Sequence, residues 1–165
     1  MEVSRFDETA LMAKGLPPEG LVRRLSAEKA SEVYSRLGEP VDLMVIGGDT
    51  VVVSPDGEIF GKPLDQADGK RMLSALSGRV HRVITGVSLF GLGREPLSFA
   101  VSTEVEFYPL TQEEINWYLD TGEPFDKAGA YGIQGRGSLL IRGISGDYDN
   151  VVGLPAAALL RELAR

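Results

Sequence analysis

Residues 41–60, VDLMVIGGDTVVVSPDGEIF, combine two apolar runs with the residues that turns require. The run VDLMVIGGDT predicts a buried strand that leads into a tight turn at its glycines. The run VVVSPDGEIF predicts a hairpin around Asp56-Gly57, because an Asp-Gly pair between apolar residues favours a short turn. The fold is therefore expected to contain antiparallel strands in this region.

Four segments outside this region have the apolar spacing of amphipathic helices. They cover residues 21–38, 65–78, 111–122 and 153–165. Gly38 is placed to end the first helix, and Thr111 with Glu114 forms a capping-box pattern at the start of the third. Pro155 lies in the first turn of the terminal helix, a position that proline tolerates. These signals predict where the helices begin and end.

Further strands are predicted where β-branched and aromatic residues accumulate. They cover residues 81–90, 97–108 and 138–146, and a loop, GLGREP, joins the first two. Strands and helices therefore interleave, which predicts an α/β fold. No repeat, low-complexity tract or linker interrupts the 165 residues, so we expect a single domain over residues 1–165.

The composition excludes several classes of function. The chain carries 24 acidic and 17 basic residues, with a net charge of −7, so its surface should repel nucleic acids and anionic membranes. No cysteine is present, which excludes disulfides, thiolate catalysis and cysteine zinc sites. No apolar segment approaches the length that spans a bilayer, and the chain does not begin like a secretion signal. We therefore expect a cytoplasmic protein.

Two charged residues stand out from their surroundings. Lys29 falls between Leu25 and Val22 on the apolar face of the first helix, where its ammonium either reaches water along an apolar stem or points into a cleft. Asp49 follows an apolar strand and two glycines, a position that suits a ligand-binding residue as well as a turn or capping residue. The pattern alone leaves both pairs of alternatives open.

Other polar residues carry weaker signals. Lys62 and Lys127 each lie in a predicted loop, where a solvated surface lysine is the simpler interpretation. Asp147 and Asp149 could face a cation, but their glycine-bounded context favours a hydrogen-bonded turn. No hydrolase triad is expected around His81, because no Gly-x-Ser-x-Gly motif occurs. Neither GxxxxGK[ST] nor GxGxxG is present.

Taken together, seven ordered blocks resemble the Maf family of nucleoside triphosphate pyrophosphatases. They are DE at 7–8, EKA at 28–30, GGDTVV at 47–52, GKP at 61–63, LSGRVHRVITG at 76–86, DKAGAYGIQG at 126–135 and GDYDNVVGLP at 146–155. The resemblance implies the Maf and ITPase-like α/β architecture, an elongated mixed sheet flanked by helices with a cleft between two lobes. It also implies hydrolysis between the α and β phosphates of a nucleoside triphosphate, with a divalent cation, Mg²⁺ or Mn²⁺.

The resemblance implies a role for each matching position. Asp49 matches the proton acceptor, and Glu8 with Asp49 would hold the metal. The residues that match cationic catalytic positions are Lys29, Lys62 and Lys127. Thr50 and Gln134 match positions linked to substrate choice, and glutamine within YGIQG is similar to the branch that prefers dTTP and UTP. The amide of Gln134 offers the donor and acceptor that a uracil or thymine edge requires, and the nearby glycines would let the backbone approach the base.

The resemblance also implies a first strand and a loop with the motif SxSPRR, which residues 1–165 do not contain. The domain is therefore expected to be short at its N-terminus, either as a truncated sequence or as a natural variant. A strand without its neighbour would be an exposed edge, which a homodimer would cover. The alternative function is a nucleotide-binding or regulatory protein that kept the cleft but lost catalysis with that loop.

Overall fold

The computed structural model describes residues 2–12 and 14–165, in which helices flank a five-stranded sheet. The strands are β1 (Met44–Val53), β2 (Ile59–Phe60), β3 (Val80–Gly91), β4 (Arg94–Phe107) and β5 (Ile141–Ser145). The helices are α1 (Thr9–Met12), α2 (Pro18–Arg36), α3 (Gln66–Leu76), α4 (Gln112–Asp120), α5 (Tyr148–Val152) and α6 (Ala156–Leu163). Short 3₁₀ turns cover Glu123–Asp126, Ala128–Ala130 and Gly135–Leu140. The predicted α/β fold is confirmed.

The described strands lie in the order β2-β1-β3-β4-β5. The resemblance implied a mixed sheet, and each of the four neighbouring pairs described here is antiparallel. β1 pairs with β3 along its whole length but with β2 only at Val52 and Val53. Its outer edge therefore has no strand partner from Met44 to Val51 within the part of the chain that the structure describes.

β1 runs straight through Gly47 and Gly48, so the prediction of a tight turn at these glycines is wrong. The glycines serve close packing instead. A Cβ on Gly47 would lie 2.5 Å from the Ser26 carbonyl oxygen of α2, and a Cβ on Gly86 of β3 would overlap the carbonyl of Val22. Because no side chain stands between them, α2 lies directly on the sheet.

Several predicted boundaries are confirmed. The Asp56-Gly57 hairpin is present, with Gly57 at φ 88° and the Gly57 N–H donating to the Ser54 carbonyl oxygen over 2.9 Å. The capping box of Thr111 and Glu114 starts α4 as predicted. The segment predicted as a helix within residues 65–78 contains α3, whereas α2 begins at Pro18, three residues before the predicted segment 21–38, and ends at Arg36.

The predicted loop at GLGREP is wrong in its length. Only Leu92 and Gly93 turn the chain, with φ values of 53° and 64°, and the flanking residues belong to β3 and β4. A turn with two positive φ values matches the twist of the strands, so the hairpin needs no longer loop. Residues 138–140 form part of a 3₁₀ turn rather than a strand, and the short helices α1 and α5 were not predicted.

The core occupies both faces of the sheet. On one face, α2 packs on β1 and β3 around Val22, Val51 and Ile84. On the other face, the largest cluster joins α3, α4 and the 3₁₀ segments to the sheet through buried residues such as Tyr118 and Phe107. Since layers cover both faces while the outer edge of β1 is open, a cleft can form along that edge.

Candidate active site

A cleft of about 660 Å³ opens beside the central residues of β1. Its lining includes every residue that the sequence predicted for the site: Glu8, Lys29, Asp49, Thr50, Lys62, Lys127 and Gln134. Two sides of the cleft differ in construction. We refer to Glu8, Lys29 and Asp49 as the charged wall, and to residues 126–134 as the glycine-rich wall.

The charged wall centres on the ammonium of Lys29. Lys29 Nζ donates a hydrogen bond of 2.5 Å to Asp49 Oδ1 and lies 2.7 Å from Glu8 Oε1. The side chain of Asp49 is 9% exposed and that of Lys29 is 22% exposed. Of the two alternatives for Lys29, the structure therefore shows a charge directed into a cleft rather than a stem with its amine in open water.

Asp49 lies in the middle of β1, opposite Gly86 of β3. The expectation that it follows the end of a strand is wrong, and so is its alternative as a turn or capping residue. Strand alternation places Asp49 on the same face as Gly47, which faces α2, so its carboxylate meets Lys29. The cleft lies along the open edge of β1 instead of at the end of a strand.

Burial and charge shift the pKa values of this pair. Burial raises the pKa of the Asp49 carboxyl and the charge of Glu8 adds to the rise, although Lys29 opposes both. Burial alone would lower the pKa of Lys29, but its hydrogen bonds to Asp49 and Glu8 outweigh this and raise it. Asp49 is the more buried partner, so desolvation dominates there and makes its carboxylate a stronger base.

The other two lysines reach the cleft from loops. Lys62 is exposed, and its charge acts on Asp49, whose pKa it lowers slightly against the effect of burial. Lys127 Nζ lies 2.8 Å from Asp126 Oδ1, and its stem packs on Gly132, where a Cβ would lie only 2.7 Å from the Lys127 Cδ and Cε atoms. Gly132 therefore leaves the room that Lys127 needs.

Thr50 and Gln134 line the same cleft from different elements. Thr50 points to the opposite face of β1 from Asp49, and its hydroxyl lies 2.9 Å from that of Thr85. Because Thr85 donates its proton to the Asn150 carbonyl oxygen, Thr50 is the donor in this contact. Gln134 is exposed, and its amide makes no hydrogen bond to other residues in the described ranges. The amide is therefore available to a ligand.

The glycines of residues 126–140 mostly serve internal packing. Of Gly129, Gly132, Gly135 and Gly137, only Gly132 lines the cleft. Gly129 has φ 71° and a Cβ there would lie 2.7 Å from Val52 Cγ2. The expectation that these glycines let the backbone approach a base thus applies, within the described part of the chain, to Gly132 alone.

Sequence reasoning missed Tyr131, which lines the cleft. Tyr131 is 4% exposed, and its hydroxyl lies 2.8 Å from His81 Nε2 of β3. It also packs edge-on against Phe107, with ring centroids 4.7 Å apart. No sequence signal linked His81 to residue 131, because the two are brought together only by the packing of a loop on the sheet.

Of the two acidic residues considered for a cation, Asp147 has a structural role. Asp147 Oδ1 accepts a hydrogen bond of 2.9 Å from the Asp149 N–H and caps α5. The predicted local hydrogen bond in SGDYDN is present, but it caps a short helix rather than closing an isolated turn. Among the residues that the structure describes, no group of three or more His, Asp and Glu is placed to hold a metal.

Glu8 and Asp49 nevertheless fit a divalent cation. Both carboxylates reach one point, now occupied by the ammonium of Lys29, so both can reach one positive ion. Mg²⁺ in proteins is commonly held by one or two carboxylates, with substrate phosphates and waters completing its coordination. These two residues are thus the donors that would hold Mg²⁺ or Mn²⁺ in this cleft.

The fold and the cleft define an α/β protein with three lysines and paired carboxylates at the open edge of a strand. The chain belongs to the Maf family, since the family described as Maf-like protein matches residues 1–165. No helix in the described ranges combines the length and apolar content that crossing a bilayer requires.

Curated relatives in bacteria and archaea are similar over most of this chain. A dTTP/UTP pyrophosphatase of Symbiobacterium thermophilum is 52% identical, with 93% of this chain and 75% of the relative aligned. A dTTP/UTP pyrophosphatase of Bacillus velezensis is 49% identical, over 97% of this chain and 81% of the relative. A dTTP/UTP pyrophosphatase of Thermococcus gammatolerans is 51% identical, over 88% of this chain and 77% of the relative.

Proposed function

We propose that this protein hydrolyses dTTP, UTP or modified pyrimidine nucleotides to the nucleoside monophosphate and pyrophosphate, as part of clearing unwanted nucleotides. The observation that carries the proposal is the shared cleft, in which a buried carboxylate, three lysines and a free amide meet. The names of the relatives support the same reaction. They do not favour the alternative of a nucleotide-binding protein without catalysis.

Asp49 is the proposed general base. Its carboxylate orients a water molecule and accepts a proton from it while the water oxygen bonds to the α phosphorus. The bond between the α and β phosphates then breaks, and pyrophosphate leaves with the bridging oxygen. The raised pKa of Asp49 strengthens it as a base, and general-base catalysis contributes roughly a hundredfold or more.

The lysines are proposed to neutralise the phosphate chain. Lys29, Lys62 and Lys127 reach the cleft from a helix and two loops, so they can meet different phosphate oxygens. Such preplaced charges stabilise the negative charge that develops in the transition state. A divalent cation held by Glu8 and Asp49 would supply further charge neutralisation when bound.

Thr50 and Gln134 are the proposed selectivity residues. The Gln134 amide can donate to and accept from the edge of a uracil or thymine, and a wrong base edge would leave one of these groups without a partner. Such unpaired groups give strong discrimination between bases.

A cytoplasmic location, a single domain and a homodimer stay predictions.

A direct assay tests the proposed reaction. The protein is incubated with dTTP, UTP, CTP or GTP, with Mg²⁺, Mn²⁺ or EDTA, and the products are followed by phosphorus NMR. We expect pyrophosphate and monophosphate from dTTP and UTP, and loss of turnover in EDTA. Orthophosphate as the first product, or no product from any nucleotide, would contradict the proposal.

A further inference from the structure

The loop that carries Gln134, residues 132–137, is held at both ends by two residues outside the charged wall. We call it the Gln134 loop. At its first end, the Gly132 N–H donates a hydrogen bond of 3.1 Å to the Tyr118 hydroxyl. The same hydroxyl donates a hydrogen bond of 3.0 Å to Glu123 Oε1. Tyr118 thus connects the start of the loop to a carboxylate.

The carboxylate of Glu123 holds the other end of the loop. Glu123 Oε1 accepts a hydrogen bond of 3.1 Å from the Gly137 N–H, and Oε2 accepts one of 3.1 Å from the Arg136 N–H. One tyrosine and one carboxylate therefore bind both ends of the Gln134 loop. Both come from the end of α4 and the 3₁₀ turn that follows it.

The two ends of the loop also touch each other. A Cβ on Gly137 would overlap the carbonyl oxygen of Gly132 and would lie 2.6 Å from the Tyr118 hydroxyl. Tyr118 is fully buried. The loop is closed so tightly that a change of one hydrogen bond at its ends must shift the residues between them.

The charge states of the pair suit this arrangement. Burial raises the pKa of the Tyr118 hydroxyl, so it stays a neutral donor. Burial also acts to raise the pKa of Glu123, but the Gly137 and Arg136 N–H groups and Tyr118 outweigh it and lower that pKa. Glu123 is thus ionised at neutral pH and accepts these hydrogen bonds as a carboxylate.

Gln134 lies midway between these two fixed ends, and its side chain makes no hydrogen bond to the described residues. Its direction is therefore set by the backbone of the loop. We infer that Tyr118 and Glu123 are positioning residues that set the base selectivity of the cleft by holding the Gln134 loop in place. This inference rests on the proposed function, since it assumes that Gln134 contacts the base.

The test compares UTP with CTP, which share ribose and triphosphate and differ only at the base edge. Tyr118→Phe and Glu123→Ala are expected to lower the ratio of kcat/KM for UTP to that for CTP by about tenfold, because each removes hydrogen bonds that hold the loop. The change should lie mainly in KM for UTP. Glu123→Gln keeps one oxygen for Gly137 and Tyr118, so it should retain most of the ratio.

Two variants calibrate the result. Gln134→Ala measures how far the ratio falls when the amide itself is removed. Tyr108→Phe is the matched control, because Tyr108 is half exposed and its hydroxyl makes no hydrogen bond to the described part of the chain, so its ratio should equal that of the unmodified protein. Thermal unfolding of each variant separates selectivity from loss of folded protein.

The inference fails if Tyr118→Phe and Glu123→Ala keep the unmodified ratio while Gln134→Ala reduces it. It also fails if they lower kcat equally for both nucleotides, which would show a purely structural role, or if Gln134→Ala leaves the ratio unchanged. If the unmodified protein hydrolyses neither nucleotide, the proposed function fails instead. The ratio of Kd values for UTP and CTP in the same variants then tests the inference by itself.

Discussion

The two walls of the cleft are held in place by different means. In the charged wall, Lys29 stands on α2 and Asp49 on β1, and Glu8 lies just before α1. The three side chains hold one another through the contacts of Lys29 with Asp49 and Glu8. The glycine-rich wall contains only short 3₁₀ turns, and buried side chains such as Tyr118 hold its backbone. The charged wall depends mainly on ion pairs between side chains of a helix and a strand, whereas the glycine-rich wall depends on hydrogen bonds to irregular backbone.

This difference separates two kinds of sensitivity. A regular element holds its side chains at set intervals, so the charged wall should lose chemistry when a side chain changes and lose shape only when its helix moves. An irregular segment has few bonds of its own, so the glycine-rich wall should respond to distant groups that anchor it. Four changes test this contrast.

The largest expected effect is loss of the proposed base in the charged wall. Asp49→Asn keeps the shape of the side chain but cannot accept a proton, so kcat for dTTP should fall about a hundredfold or more. Steady-state kinetics measure this, and Asp42→Asn, in the exposed turn before β1, should match the unmodified protein. Equal kcat in Asp49→Asn and Asp42→Asn would remove Asp49 from the role.

The framework of the charged wall should break at Gly86. In Gly86→Ala the new methyl group would overlap the carbonyl of Val22, so α2 must move away from the sheet. We expect the free energy of unfolding to fall by about 3 kcal/mol. Urea denaturation measures it.

Gly143→Ala is the matched strand control for this change. Apart from its two chain neighbours, no described residue has an atom within 4 Å of a Cβ at Gly143, so the change in stability should stay within about 0.5 kcal/mol. Similar losses in Gly86→Ala and Gly143→Ala would show that close packing of α2 is not the cause.

The anchoring of the glycine-rich wall should weaken in acid. Burial lowers the pKa of His81 to about 4, so folding favours its neutral form. In the unfolded chain His81 has a pKa near 6.5 and binds the proton more readily. The contribution of neutral His81 to the free energy of unfolding is therefore full above pH 6.5 and is lost as the pH falls towards 4. Between pH 7 and pH 5 the loss should be about 2 kcal/mol.

His81→Gln tests this directly, because glutamine can still bond to the Tyr131 hydroxyl but does not titrate. Urea denaturation at both pH values should show a loss of stability on acidification that is smaller in His81→Gln than in the unmodified protein. Other groups contribute equally to both proteins. Equal losses of stability in the two proteins would show that His81 does not contribute to the pH dependence.

The smallest expected effect concerns α4, which carries Tyr118 to the glycine-rich wall. Thr111→Ala removes the hydroxyl that accepts the Glu114 N–H over 3.2 Å, and should lower the free energy of unfolding by about 1 kcal/mol. Thermal and urea unfolding measure the change. Thr111→Ser keeps the hydroxyl and should retain most of the stability, whereas equal losses in both variants would show that capping is not responsible.

The sequence was informative wherever a regular element carries the residue. Lys29 was an unexpected charge on the apolar face of a helix, and it lies in the cleft. Asp49 was correctly singled out but misplaced, because two glycines resemble a turn when the packing partner is unknown. Glu8 was found through the resemblance to a family, and no pattern of spacing or periodicity indicated it.

Helix boundaries, the Asp56-Gly57 hairpin and the alternation of strands follow from local periodicity and capping, which act within a few residues of the chain. The open edge of β1, the ammonium of Lys29 between two carboxylates and the hold of Tyr118 on the Gln134 loop all join residues distant in the chain. Such contacts arise only when α2, β1 and α4 pack together, because burial and hydrogen-bond geometry then select among conformations that local preferences leave equally open.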